Sequence, residues 1–282
     1  MHTKTFVPAL LAWAVSVALV SSSAWAMHET MVEVSVPLER QSAFSVTPAQ
    51  ARAELEKTPG GVTVVDARDY LNGRAGTMDD TLKLAAGVFI QSRFGSDEAR
   101  VSIRGSGLQR TFHGRGLMLL QDGVPLNLAD GGFDMQAVEP GATRYVEVQR
   151  GANALRYGSS TLGGAINYLS QTGRSAPALL LRAEAGSFDY QRYQIAAGGE
   201  QGDVDGYASF SHIEQDGFRD HARQRNGRFF GNLGFQLTPH VESRFYTTVV
   251  DTSSELPGNL SYADVKTNPR KAEAGSLNRD AK

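Results

Sequence analysis

The residues of this chain that could do chemistry do not combine into a catalytic site. Its six histidines are scattered, without the paired helical spacing that holds a metal ion. It has no cysteine, which excludes thiol catalysis and a disulfide framework. Asp122, Asp130 and Asp134 fall in turn regions, where aspartates more often cap the local backbone. Ser159 and Ser160 lack the context of a nucleophile elbow. The sequence therefore predicts no enzyme, no cofactor and no metal site.

Nucleotide and nucleic-acid binding are also disfavoured. Gly105-Ser106-Gly107 follows a predicted strand, as a dinucleotide-binding loop does, but Arg110 stands where the third glycine belongs and no helix follows. The formal net charge is −2, so no bulk electrostatic attraction draws the chain to nucleic acid or to an anionic membrane surface.

The arginines are the informative charged residues, because a guanidinium presents a rigid fork that matches carboxylates. Five of them, opposed in this segment only by Asp97 and Glu98, are Arg93, Arg100, Arg104, Arg110 and Arg115. Arg93, Arg110 and Arg115 lie on predicted loops and are placed to face an anionic ligand. Arg104 and Arg150 lie at strand ends, better placed to pair with carboxylates of an enclosing wall. Solvated surface charge is the alternative for about half of the set.

The N-terminus is typical of a secretory signal peptide. His2 and Lys4 form a short n-region, the stretch 6–20 is apolar, and Ala24-Trp25-Ala26 fits the small-x-small cleavage rule. The apolar stretch is shorter than the roughly 20 residues that span a bilayer, which disfavours a retained anchor. We expect residues 1–26 to be a signal peptide cleaved after Ala26, followed by a flexible leader over 27–45.

Residues 46–174 predict a domain of the α+β class, with a small mixed sheet and short helices. Thr47-Pro48 predicts a helix start, since Thr is a good N-cap and Pro suits the first helical position. A second helix is predicted over 77–84. Short strands are expected at 62–65, 88–91, 101–104, 117–120, 145–149 and 165–169, with a turn region over 66–76.

Residues 175–282 show a different pattern, in which helical periodicity disappears. Five stretches of about ten residues alternate between apolar and polar positions, with short turns on one side and longer loops on the other. Between Gly227 and Leu237, one face carries Phe229, Leu233, Phe235 and Leu237 and the other Arg228, Asn232 and Gln236. This pattern favours the first strands of an outer-membrane β-barrel over a soluble β-sandwich. Because five strands cannot close a barrel, we expect either a longer sequence or a truncated gene, with 259–282 as a polar tail.

Four segments resemble the plug-domain motifs of TonB-dependent outer-membrane receptors. They are Val101–Gly105, Leu120–Pro125, Val146–Gly151 and Tyr157–Asn167. Residues 30–35 resemble a TonB box, and the chain from about 178 resembles the start of the 22-stranded barrel of that family. The resemblance implies a plug that fills the barrel lumen and a box that TonB, energised by ExbB and ExbD, pairs with as an added strand.

The resemblance also implies three functional sites in this chain. The TonB box would be Thr30, Met31, Val32, Glu33, Val34 and Ser35. The plug–barrel lock would be Arg104, Glu147 and Arg150, paired with wall glutamates beyond residue 282. The ligand-facing apex would be Arg93, Phe94, Arg110, His113 and Arg115. The implied function is energised import across the bacterial outer membrane of a scarce chelate, above all a ferric siderophore. A ligand-sensing signalling module and a non-transporting remnant are the alternatives.

Overall fold

The computed structural model describes residues 32–35, 46–93, 97–107, 114–159, 161–277 and 280–281, with backbone alone for 32–35 and for 281. Several sequence predictions lie outside these residues. They are the signal peptide and its cleavage site, Thr30 and Met31 of the predicted box, and Phe94, Arg110 and His113 of the predicted apex.

Five long strands form an antiparallel meander, here called the wall. They are β9 (Leu180–Ala185), β10 (Gln191–Gln201), β11 (Val204–Gln215), β12 (Gln224–Thr238) and β13 (Val241–Glu255). Each strand pairs with the preceding one in chain order. Gln201 pairs with Val204 and Thr238 with Val241, so tight turns close one end of the wall. Longer connections close the other end. We call these the tight-turn end and the long-loop end.

The two faces of the wall differ in polarity. The outward face exposes large apolar side chains, among them Leu181, Ile195, Phe210, Leu233 and Phe245. The inward face buries polar and charged side chains, among them Arg192, Gln194, Asn226, Arg228 and Arg244. The alternation predicted for 227–237 is confirmed, because Leu233 and Leu237 are exposed whereas Arg228 and Asn232 are buried.

The first unit, here called the plug, is an α+β domain that packs against the inward face of the wall. Its helices are α1 (Pro48–Leu55), α2 (Ala67–Leu71) and α3 (Met78–Leu82). Its strands are β2 (Val62–Asp66), β3 (Val88–Ser92), β4 (Ala99–Ile103), β5 (Leu117–Gln121), β6 (Val124–Pro125), β7 (Thr143–Arg150) and β8 (Gly164–Ser170).

The main plug sheet has the order β2-β7-β8-β5-β6, and β3 pairs with β4 in a second, smaller sheet. The pairing of β5 with β8 is parallel and the others are antiparallel, so the main sheet is mixed. Every residue of β8 is buried, and Ile166 and Tyr168 join Leu82, Ile103 and Leu119 in the largest core cluster. The predicted fold class is confirmed.

Two segments depart from the sequence predictions. Helix α2 occupies part of the predicted turn region 66–76, because the Asp66 carboxylate accepts a hydrogen bond from the Arg68 backbone N–H at 3.0 Å and caps it. The segment predicted as a polar tail contains a helix, α4 (Tyr262–Thr267), whose N-cap is Ser261. Arg219 of the preceding long loop donates to the carbonyl of Lys271 at 2.7 Å, which ties the two loops together.

Two short strands add to the outer edge of β13. The backbone of β1 (Val32–Ser35) pairs antiparallel with Glu242–Phe245, near the tight-turn end. The backbone of β14 (Asp280–Ala281) pairs with Ser254 and Glu255 at the long-loop end. Among the described helices, none is long and apolar enough to cross a membrane.

Candidate functional site

The inward face of the wall carries two adjacent rows of polar side chains that hold the plug. Cross-strand register aligns Arg182, Gln194, Ser211 and Arg228 in the first row. It aligns Glu184, Arg192, Asn226 and Thr252 in the second row, with Ile213 between Arg192 and Asn226. We call these eight polar residues the belt. The rows form because inward-facing positions on paired strands fall at the same level of a sheet.

Glu139 of the plug is the centre of the contact with the belt. Its Oε1 lies 3.2 Å from Nη2 of Arg192, and its Oε2 accepts a hydrogen bond from the Ser211 hydroxyl at 2.6 Å. Nη1 of Arg228 lies 3.7 Å from Oε2. The two arginines and Glu139 are at most 2% exposed. One carboxylate is therefore shared by β10, β11 and β12 in a site closed to water, where charge-assisted hydrogen bonds are strong.

The backbone around Glu139 is shaped for this contact. The short 3₁₀ turn Pro140–Ala142 begins where the Glu139 carboxylate accepts a hydrogen bond from the Gly141 N–H at 2.9 Å. Gln194 donates to the Gly141 carbonyl at 3.1 Å. A Cβ atom at position 141 would lie only 2.5 Å from Nη2 of Arg192, so the wall approaches the backbone as closely as glycine allows.

Asp97 is the second carboxylate that the plug presents to the belt. Its Oδ2 lies 2.8 Å from Nη2 of Arg228 and accepts a hydrogen bond from the Asn226 amide at 2.6 Å. Burial raises the pKa of the Asp97 carboxyl, and the Arg228 guanidinium opposes that rise. Arg228 also donates to the Gly76 carbonyl at 2.9 Å. One wall arginine thus bridges two plug segments that are distant in sequence.

The ends of the belt reach two further parts of the plug. Arg182 donates to the carbonyls of Leu71 and, at 3.3 Å, of Gly73, and it pairs with Glu184 beside it. Thr252 donates to the Gln136 side-chain oxygen at 2.8 Å. These belt contacts are hydrogen bonds and ion pairs, which is expected of a surface that can exchange protein partners for water.

A separate cluster anchors the end of the plug near the tight-turn end. Arg244 pairs with Asp205 at 2.7 Å and with Glu242 at 2.8 Å, and the three side chains are at most 1% exposed. The Gly173 backbone N–H donates to Asp205 at 3.0 Å, and Arg174 lies 3.4 Å from the same carboxylate. This cluster fixes the point at which the chain passes from plug to wall.

The predicted lock residues lie in the plug, where they contact other plug residues. Arg150 donates to the Thr63 hydroxyl at 2.7 Å and to the carbonyls of Val62 and Ala86. Arg104 is exposed and lies beside Gly151. Glu147 is half-buried on β7, and burial raises the pKa of its carboxyl. The lock between these residues and wall carboxylates stays a prediction.

Two predicted apex residues are described, and each pairs with a carboxylate of the plug itself. Arg93 lies 2.9 Å from Glu98 and Arg115 lies 2.9 Å from Asp130. All four side chains are partly exposed, so an anionic ligand could replace either carboxylate. Glu98 follows Asp97 directly, which places the apex pair of Arg93 next to the belt contact of Asp97.

Sequence reasoning missed the belt and its two plug carboxylates. The available signal was the alternation of β12, which already set Arg228 on the polar face. The sequence did not indicate which plug residues contact these wall positions. Asp97 and Asn226, for example, are 129 positions apart, beyond the reach of any local pattern. Asp97 was noticed only as a charge opposing nearby arginines.

The family model of the TonB-dependent Receptor Plug Domain matches residues 54–165. Residues 54–165 are a TonB-dependent receptor plug domain. The resemblance read from the sequence motifs is thereby confirmed. Asp97 and Glu139 both lie inside this plug domain, and the belt that holds them lies outside it, on the wall.

Comparisons over a longer part of the chain agree with this assignment. The chain is 29% identical over 238 residues to the hemin receptor of Yersinia enterocolitica, covering 79% of this chain and 32% of that protein. It is 27% identical over 169 residues to the vitamin B12 transporter BtuB of Vibrio cholerae, covering 58% of this chain and 27% of that protein.

Among solved structures, the ferric citrate transporter FecA in its unliganded form superposes with a TM-score of 0.66 at 19% identity. That match covers 80% of this chain and 36% of FecA, and it shows a shared fold. The chain therefore spans about a third of the length of the relatives that it matches.

Proposed function

We propose that this chain is part of a TonB-dependent receptor that imports a scarce chelate across the bacterial outer membrane. The observation that carries the proposal is a plug domain seated on the polar face of a wall whose opposite face is apolar. An apolar outward face and a polar inward face are the pattern of a strand sheet that faces lipid on one side and a lumen on the other. The tight-turn end then faces the periplasm and the long-loop end the cell exterior.

An iron complex is the cargo class that we favour, with a ferric siderophore first. Relatives that share the plug include receptors named for hemin, for vitamin B12 and for ferric citrate. Hemin and ferric citrate are iron complexes that carry carboxylates, and the arginines Arg93 and Arg115 at the plug apex suit carboxylate-bearing ligands. Arg110, His113 and Phe94 complete the apex set in this proposal.

Energy would reach the plug through the leader, by strand addition to TonB. The backbone of Val32–Ser35 already pairs with a sheet edge at the end of the wall assigned to the periplasm, which supports an extended conformation for this segment. Val34→Pro removes a backbone donor and should abolish energised uptake while leaving chelate binding to cells unchanged. Val34→Ala is the matched control, and equal uptake by the two variants would contradict the box assignment.

Uptake measurements test the import proposal. Cells that express the gene encoding this chain are given a panel of radioiron chelates, and initial uptake rates are compared for Arg93→Ala, Arg115→Ala and Arg68→Ala. Arg68 is an exposed plug arginine outside the apex. Loss of one charge-assisted hydrogen bond should raise the half-saturating concentration about tenfold in the two apex variants only. No uptake of any chelate, or equal effects of all three substitutions, would contradict the proposal.

A further inference from the structure

The belt carries more positive than negative charge, and the plug supplies the balance. Three of its residues are arginines, Arg182, Arg192 and Arg228, and one is a glutamate, Glu184. The plug side chains that neutralise them are Asp97 and Glu139, which are no more than 2% exposed. The balance therefore holds only while the plug is seated.

Movement of the plug would uncover this charge in a confined space. Arg192 and Arg228 would lose Glu139, and Arg228 would also lose Asp97. The side chains would remain on two adjacent levels of the wall, because cross-strand register fixes their backbones. Rows of arginine that line a passage attract anions, and low-dielectric walls strengthen the attraction.

The belt is also within reach of solutes on one side. A crevice of about 440 Å³ lies between the plug turn 72–74 and the hairpin of β9 and β10. Arg182 and Glu184 of the belt line this crevice together with Arg74 and Tyr190. Its volume is sufficient for a small polycarboxylate, so a solute could approach the end of the belt without crossing the plug core.

We propose that the belt is a second anion-binding site, located on the wall, which takes carboxylate-bearing cargo when Asp97 and Glu139 withdraw. The inference rests on the proposed import function, since only a receptor whose plug moves would present the site to cargo. While the plug is seated, its carboxylates bind Arg192 and Arg228. Carboxylates of the cargo would bind the same two arginines once the plug carboxylates have withdrawn. Cargo leaving the apex would meet the same guanidinium chemistry again at the wall.

Citrate binding to the purified chain in detergent tests this site directly. The variant Asp97→Asn/Glu139→Gln keeps the size of both side chains and removes both charges. It should bind radiolabelled citrate at least tenfold more tightly than the unsubstituted chain in equilibrium dialysis, and the gain should weaken with added salt. Further substitution of Arg192→Gln and Arg228→Gln should remove the gain. The control Glu56→Gln/Asp69→Asn makes the same charge change at exposed plug positions and should leave citrate affinity unchanged.

Three results would overturn the proposal. They are equal citrate affinity in the double variant and its control, a gain that survives loss of both arginines, and a gain that salt does not weaken. If the double variant fails to fold, Glu139→Gln alone is compared with Glu139→Gln/Arg192→Gln, because Asp97 and Arg228 then keep their pair. Failure of chelate uptake by cells would contradict the import function without altering this affinity difference, so the two proposals fail separately.

Discussion

Arg228 of the wall and Asp97 of the plug form an ion pair with 2.8 Å between Nη2 and Oδ2, and each side chain is 2% exposed. The same guanidinium reaches the Gly76 carbonyl and approaches Glu139. Because breaking a buried pair leaves an uncompensated charge, such a residue is costly to remove even where the intact pair adds little net stability. Arg228 thus holds the plug at two carboxylates and one backbone carbonyl.

Replacing Arg228 tests whether this buried arginine contributes more to the free energy of unfolding than an exposed arginine of the same strand does. Arg228→Gln leaves Asp97 and Glu139 with weaker donors, and we expect it to lower the free energy of unfolding by about 3–5 kcal/mol. Arg225→Gln is the matched control, since Arg225 lies on the same strand, is exposed and pairs with Glu214 at 3.2 Å. The control should change the free energy of unfolding by at most about 1 kcal/mol. Denaturant titration in detergent measures both, and equal losses would contradict the role of Arg228.

The close approach at Gly141 gives a prediction that involves no charge. Gly141→Ala places a methyl group 2.5 Å from Nη2 of Arg192 and 2.7 Å from Nε2 of Gln194, so both side-chain ends must move out of their contacts with the plug. We expect a loss of about 1–3 kcal/mol in the free energy of unfolding and faster proteolysis of the plug. Gly199→Ala on β10 has open space around the new methyl group and should be nearly neutral. A stable Gly141→Ala variant would show that the plug is not seated this tightly.

The raised pKa of the Glu147 carboxyl predicts how the stability of the plug changes with pH. Burial raises the pKa of its carboxyl above the ordinary value of 4.5, while Arg156 and Asn167 oppose the rise. The folded plug then binds this proton more tightly than the unfolded chain, so plug stability falls as pH rises from 4.5 through the raised pKa. Glu147→Gln should flatten this part of the stability profile and stabilise the plug at neutral pH. An unchanged slope between pH 4.5 and 7 would contradict the assignment, and the exposed Glu56→Gln is the control.

The sequence predicts those parts of this fold that depend on local periodicity. The helix start at Thr47-Pro48 is correct, because Thr47 caps α1 and Pro48 opens it. The outward and inward faces of β12 follow from strict alternation, which a buried polar face enforces. Helix α2 was missed because Asp66 serves both as the last residue of a strand and as the cap of the helix.

The site was harder to predict than the fold. The sequence predicted that Arg104 and Arg150, at strand ends of the plug, pair with wall carboxylates, and that pairing stays a prediction. In the belt, the ion pairs between wall and plug have arginine on the wall and carboxylate on the plug, as for Arg192 and Glu139. Pairing across such a distance in sequence depends on how the plug is seated in the wall, which no local pattern encodes.

A reversible crosslink between plug and wall tests the central claim, that the seated plug must leave the belt for import. The chain has no cysteine, so Gln136→Cys/Thr252→Cys introduces the only thiols, at side chains now joined by a 2.8 Å hydrogen bond. Oxidised cells should form this disulfide and lose chelate uptake, and reduction should restore uptake. Single-cysteine variants should be unaffected by either treatment. Uptake that continues with the disulfide formed would contradict the account.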